Sequence, residues 1–318
     1  MIRNVVILGL LSTLMVGGAC GSSCVNFDGQ TVRMHIDESK DRLDALFLYR
    51  GLHSTSADTT QAIEQLEEIR GGSRWFAVLS NWPFMFPIDK WAEEERNAER
   101  PAAGRLLDLL DEHVEVRNGE LWLDADVTLN AWQLVRLDNL AEVLAAANAA
   151  QVEQLQLSLA DNDGKGSLLL SDEESVALLK DALRRGDPFW AFDGQALTFT
   201  LPASDQGWAN IKREMLDGLR DMLEVHGEGN EGNDKAELQS DAAIEFLATN
   251  EWSVEREPGR TIFVLGSRTA DELRIEVPTV GLPGTDLVKE LRDLGWTIDR
   301  LADDDGAHRA YEAFRSEN

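Results

Sequence analysis

Cysteine is nearly missing from this chain. Of 318 residues only Cys20 and Cys24 carry thiols, both close to the start, so no disulfide framework can staple the fold. Histidine is scarce as well. The five stand at 35, 53, 113, 226 and 308, with no H-E-x-x-H and no Cys–His cluster, which removes the usual zinc signatures. Neither G-x-S-x-G nor a P-loop occurs, so no nucleophile elbow and no phosphate cradle can be read locally. Positive charge is in deficit: 30 basic residues against 58 acidic ones, a net charge of −28. Such a surface repels phosphates and argues against nucleic acid as a partner. It also gains nothing from an anionic membrane surface. Beyond the first two dozen residues, no segment reaches membrane-span length without charge.

The first residues, MIRNVVILGLLSTLMVGGACGSSC, are therefore distinctive. A head carrying Arg3 precedes an apolar middle from Val5 to Val16, then small residues up to Cys20. About 20 apolar residues are needed to span a bilayer, and this run is shorter. A positive head, a short apolar middle and small residues form the secretory signal pattern. Val16-Gly17-Gly18-Ala19-Cys20 resembles the lipobox of bacterial lipoproteins, with Gly17 where that family usually has an aliphatic residue. The resemblance implies cleavage before Cys20 and a lipid on its sulfur. Cys24 is the rival lipid site, and a secreted protein cut near Ala19 is the plain alternative. Two or three acyl chains hold a protein firmly, whereas one binds only marginally. By the family's sorting rule, Gly21 in place of an aspartate implies transfer to the outer membrane. Removing residues 1–19 takes away Arg3 and no acid, which leaves a mature charge of −29. Only about ten residues separate Cys20 from the first strand-like run, a reach of roughly 18 Å.

The rest of the chain is expected to be α+β, with antiparallel hairpins interleaved with helices. The expected organisation is a signal peptide over 1–19, a tether over 20–30 and a main domain over 31–225. A linker over 226–239 and a C-terminal α+β subdomain over 240–318 follow. Thr31–Asp37 alternates apolar and polar residues as a half-buried strand, and Leu43–Leu52 returns from a turn at Glu38–Asp41. Ile63, Leu66 and Ile69 mark one face of a helix. Asn118-Gly119 between alternating runs predicts a hairpin, and Trp132, Val135, Leu137, Leu140 and Leu144 predict a helix after it. The same β-β-α order around Asp193-Gly194 and Trp208 hints at an internal duplication. "HGEGNEGNDKAELQ" at 226–239 has no apolar rhythm and reads as linker. Downstream, "EREPGRTIFVLG" predicts a hairpin, "ELRIEV" a strand, Leu287–Leu294 a helix and the tail from Ala307 another.

Two stretches carry candidate chemistry. "DNDGKGSLLLSD" (161–172) resembles a calcium-binding EF-hand loop, with Asp161, Asp163, Ser167 and Asp172 at ligand positions and Gly166 at position 6. Lys165 stands where an oxygen is needed, and Asp172 is one methylene shorter than the usual glutamate. Leu155, Leu157 and Leu159 alternate with polar residues, which reads as a strand where an EF-hand has a helix. A hairpin turn at Asn162-Asp163-Gly164 is the structural alternative. "RWFAVLSNWPFMFPIDKW" (74–91) groups three tryptophans and three phenylalanines. Trp82, Phe84 and Phe86 are the candidate interaction residues, against the general tendency of large aromatics to be core. Each histidine reads as surface or satisfied. No nucleophile, base and orienter assemble in sequence, and no cofactor is expected. The resulting expectation is a lipid-anchored envelope protein with a soluble binding or scaffolding domain. Its partners are the membrane, through the lipid, and another envelope protein. A hydrolase with a site assembled from distant loops is the alternative.

Overall fold

The computed structural model describes residues 25–54, 56–70, 74–77, 83–86, 93, 96, 97, 100–124, 126–160, 172–192, 197–210, 252–265, 273–278, 284–296, 298–300 and 305–317. The fold is α+β, with sheets that are antiparallel except for one short parallel pairing. The chain forms two compact units. One, the sheet unit, comprises Ala19–Ile88, Asp111–Leu140 and Asp271–Asn318. The other, the helical unit, includes Asp89–Leu110 and Ala141–Ala270.

The sheet unit is built on β2 (Gly29–Asp37) and β3 (Arg42–Arg50), paired antiparallel from Gly29↔Arg50 to Asp37↔Arg42. Their turn forms because the Asp37 carboxylate accepts from Ser39 N–H (3.0 Å), Ser39 hydroxyl (2.6 Å) and Lys40 N–H (3.3 Å). A short aspartate held this way mimics a backbone turn. β9 (Leu129–Asp138) lies on the other side of β3 and itself pairs with β7 (Val114–Asn118) and β8 (Trp122–Leu123). β14 (Leu273–Pro278) pairs with β2, and β15 (Asp299–Arg300) runs parallel to β8. A two-residue strand, β1 (Val25–Asn26), pairs with β4 (His53–Ser54) at the Gly29–Arg50 end. The final helix, Asp305–Ser316, presents Ala307, Tyr311 and Phe314 as a buried stripe against Leu46, Leu48, Trp122 and Leu134. Each such large side chain contributes about 1.5–3 kcal/mol when fully buried.

In the helical unit, β10 (Trp190–Phe192), β11 (Leu197–Pro202), β13 (Arg260–Leu265) and β12 (Trp252–Glu257) form a four-stranded sheet in that order. The helix Leu140–Ala160 and the helix Glu173–Arg185 precede this sheet in the chain.

Several sequence expectations are corrected. Trp132, Val135 and Leu137 lie on β9, and the helix begins only at Leu140. A strand flanked on both sides loses its alternation, and Gln133–Leu137 is buried without a break. Asn118-Gly119 is not a hairpin turn. β7 and β8 both pair with β9, and the chain reverses at Asp124–Thr128, where Asp124 accepts from Asp126 and Thr128 N–H. Gly119 instead makes room for an indole: a Cβ there would stand 2.1 Å from the Trp132 ring. The match of turn glycine and helix tryptophan that hinted at a duplication fails with it, since Trp132 is on a strand and Trp208 on a helix, although the β-β-α order itself occurs in both places. Leu155–Leu159 is helical, with Leu155 buried and Leu157 exposed. The alanine-rich start nucleates a good helix and propagation carries it on.

Strand pairing also divides the chain otherwise than a boundary at 226–239, a segment outside the described residues. β13 pairs with β11, and β14 with β2, so the region 240–318 contributes to both sheets rather than to one subdomain. Pairing across long separations leaves no local mark in composition. The tether is shorter than 20–30, because β1 begins at Val25 and β2 at Gly29; two residues are too few to show alternation.

Candidate functional site

Of the residues singled out in sequence, Cys20, Trp82, Asp161, Asp163 and Ser167 lie outside the described residues. Phe84 and Phe86 lie on β6 (Pro83–Phe86), whose backbone pairs with β5 (Arg74–Ala77); their side chains are outside the described set, as is the expected burial of this aromatic stretch. An edge-like segment there agrees with Pro83 and Pro87 disfavouring a helix. Asp172 is described, and its carboxylate caps the helix Glu173–Arg185. It accepts from Ser175 N–H (2.8 Å) and from the Ser204 hydroxyl (2.9 Å). Ser204 in turn accepts from Gly207 N–H (2.9 Å), so the start of the helix at 205–210 is tied to that of the other. The 12 residues of 161–172 therefore join two helices, and the strand argument against an EF-hand falls away. Lys165 and the commitment of Asp172 to a cap remain against it.

The densest charge cluster lies in the sheet unit. Asp44 and Arg136 are cross-strand neighbours on β3 and β9, and Glu115 on β7 is opposite Arg136. Arg136 Nε donates to Asp44 Oδ1 (2.8 Å), and Arg42 Nε sits 3.0 Å from Asp44 Oδ2. All three side chains are buried, with Asp44 at 1% exposure. The two guanidiniums then serve the end of the final helix. Arg136 donates to the Phe314 carbonyl, and Arg42 donates to the carbonyls of Arg315 (2.8 Å) and Glu317 (2.9 Å). Helix C-termini leave carbonyls without partners and carry partial negative charge, so cations there satisfy both needs. Arg117 binds the Glu317 carboxylate with both terminal nitrogens at 2.7 Å. This hydrogen bonding holds Arg117 more firmly protonated than usual and lowers the Glu317 carboxyl below its ordinary range. The Phe314 ring lies 4.0 Å from the Arg136 guanidinium and 4.7 Å from that of Arg117. The cluster is a clamp on a helix, and the terminal nitrogens of Arg42 and Arg117 are turned to it.

The second cluster is smaller and less complete. His53, on β4, is buried against Gly284, where a Cβ would fall 1.8 Å from the imidazole; only glycine lets the ring lie there. Its Nδ1 is 2.8 Å from the Gly51 carbonyl, an atom that can only accept, so the proton is on Nδ1. The Asp28 carboxylate stands 3.6 Å from the same nitrogen and is half exposed. Nε2 is buried with no hydrogen-bond partner. A carbonyl and a carboxylate at Nδ1 orient the ring, and Nε2 is its unpartnered nitrogen. Sequence reasoning missed this pair because 25 positions separate its members, and the β2–β3 and β1–β4 pairings together bring them side by side. The expectation that every histidine is at the surface or satisfied is corrected at His53. Among the described residues, no three His, Cys, Asp or Glu side chains gather as a metal site.

Comparison with protein-family models, with curated proteins and with solved structures returned no match.

Proposed function

We propose that this is a lipid-anchored protein of the bacterial cell envelope, facing the periplasm from the outer membrane, whose folded part binds or scaffolds another envelope component. The observation that carries the reading is Val16–Cys20 after a short apolar run and a cationic head. Two further features support it. Gly21 follows the cysteine, which suits transfer outward, and the mature charge of −29 suits a soluble domain that avoids nucleic acid and anionic lipid. The binding role is supported by the use of the charged cluster: Arg42, Arg117, Asp44 and Arg136 hold a helix in place, so this convergence of charge is structural. Cys20→Ser is expected to abolish membrane attachment and to leave an uncleaved or released form. Intact-mass spectrometry of the membrane fraction reads this out. An unmodified Cys20 in a mature, released protein would overturn the anchor.

An envelope hydrolase is the second reading, and His53 is the observation that favours it. Its Nε2 has no hydrogen-bond partner, and the ring is oriented from behind by Gly51 and Asp28. That nitrogen meets no nucleophile among the described residues, which is why binding stands first.

A further inference from the structure

We infer that the end of the sheet unit formed by β1, β4 and the loop at 56–59 faces the phospholipid headgroups, and that the Glu38–Asp41 turn is directed away from them. The inference rests on lipidation of Cys20. Val25, the first residue of β1, follows that cysteine by five positions. Five residues span at most about 17 Å.

The start of β1 is fixed on the fold. Val25 pairs with Ser54 and its N–H donates to the Gln65 side chain (3.3 Å). Ser54 exchanges two backbone hydrogen bonds with Thr285, each 2.9 Å. A lipid on Cys20 therefore holds β4 and this strap, not a loose arm. β2 leads away from that point. From Gly29 to Asp37 there are eight steps, about 27 Å at strand rise. The tether is shorter than the strand, so the anchor can place the β1–β4 end at the headgroups but cannot bring the Glu38–Asp41 turn to its own attachment point.

Charge decides against the sheet lying flat. At −29 the mature chain is repelled from an anionic leaflet, and a broad face brings more acids close to it than one end does. The near end is itself polar. Ser56, Ala57 and Asp58 are exposed, and Asp58 is tied to Thr60 through its N–H (3.0 Å) and hydroxyl (2.7 Å). Nothing in that loop is apolar enough to enter hydrocarbon, so the contact is with headgroups alone.

The test uses the full lipidated protein with Cys24→Ser, carrying one spin label at either Ala57→Cys or Glu38→Cys. Both positions are exposed and take no side-chain role in the fold. The protein is floated with phosphatidylethanolamine–phosphatidylglycerol vesicles, whose surface is anionic, containing a nickel-chelating lipid. The label at 57 is expected to relax several-fold more strongly than the label at 38. Equal relaxation, or stronger relaxation at 38, overturns the orientation while the anchor stands. If the protein does not float with the vesicles and its mass shows no lipid, the anchor reading fails and this inference with it.

Discussion

The two units solve the burial of polar groups in opposite ways. The sheet unit places full charges inside: Asp44 between Arg42 and Arg136, under the end of a helix. Among the described residues, the fully buried polar side chains of the helical unit are neutral, and its one capping carboxylate, Asp172, is only half-buried. Asn148 accepts from Phe189 and Trp190 N–H at 2.8 Å each and donates to the Trp190 carbonyl, while Ser175 and Ser204 share the Asp172 cap. Its sheet is packed by aromatics instead, with Trp190 stacked on Phe199 at 4.3 Å and Phe199 next to Phe263. Among the described residues, each unit buries an indole N–H without a partner, at Trp122 and at Trp190. The difference teaches that ionisation governs the final helix of one unit, whereas packing and capping govern the other.

The largest effect is expected from Asp44→Ala. It leaves two buried guanidiniums without their carboxylate, and breaking a buried ion pair from one side costs about 3–5 kcal/mol. Urea denaturation measures it. Adding Arg42→Met and Arg136→Met should recover only part of that loss: the buried cations are gone, but the Phe314, Arg315 and Glu317 carbonyls lose these donors. A loss under about 1 kcal/mol, the range of exposed pairs, would mean that the cluster behaves as surface charge and would erase the contrast between units.

A smaller effect is expected from Asp172→Ala in the helical unit. Losing an N-cap costs about 1 kcal/mol, and here the Ser204 hydroxyl loses its acceptor too. The same residue sharpens the question of the 161–172 loop. Calorimetric titration with calcium is expected to show no binding tighter than about millimolar, since Lys165 replaces a ligand and Asp172 is committed to a cap. Micromolar binding lost in Asp161→Ala would instead make the loop a metal site.

The smallest effect concerns pH. The Glu317 carboxyl is lowered from its ordinary 4.5, chiefly by the hydrogen bonds from Arg117. A carboxyl lowered by folding contributes stability that is complete above its unfolded value and is lost as pH falls through its folded one. The end of the final helix should therefore loosen below about pH 4.5, seen as faster amide exchange at 314–317. Glu317→Gln should remove that pH dependence. An unchanged acid profile in the variant would show that the clamp works through backbone carbonyls alone.

The hairpin at Glu38–Asp41, the helix Thr60–Arg70, the strands around Pro258-Gly259 and the final helix were legible because each rests on local chemistry: an aspartate turn, a period, a glycine after proline. β9 was read as a helix because a strand covered on both sides has no alternation to display. Of the candidate residues, Asp172 was legible as an oxygen at a helix start but not as a cap shared with Ser204, 32 positions away. His53 and Asp28 were illegible as a pair, since nothing in either neighbourhood announces the other.

The sequence by itself determined the cationic head, the apolar run and Cys20, the acidic surface and the α+β character. These depend on composition and on periods of two or 3.6 residues, which act within a single segment. Only the tertiary structure decided that 240–318 is shared between two sheets and that Arg42 and Arg136 cap a helix whose end lies 273 and 178 positions downstream of them. It alone set His53 against Gly284. Those arrangements depend on strand partners and on which buried donors remain unsatisfied, quantities defined only once distant segments meet and exclude water.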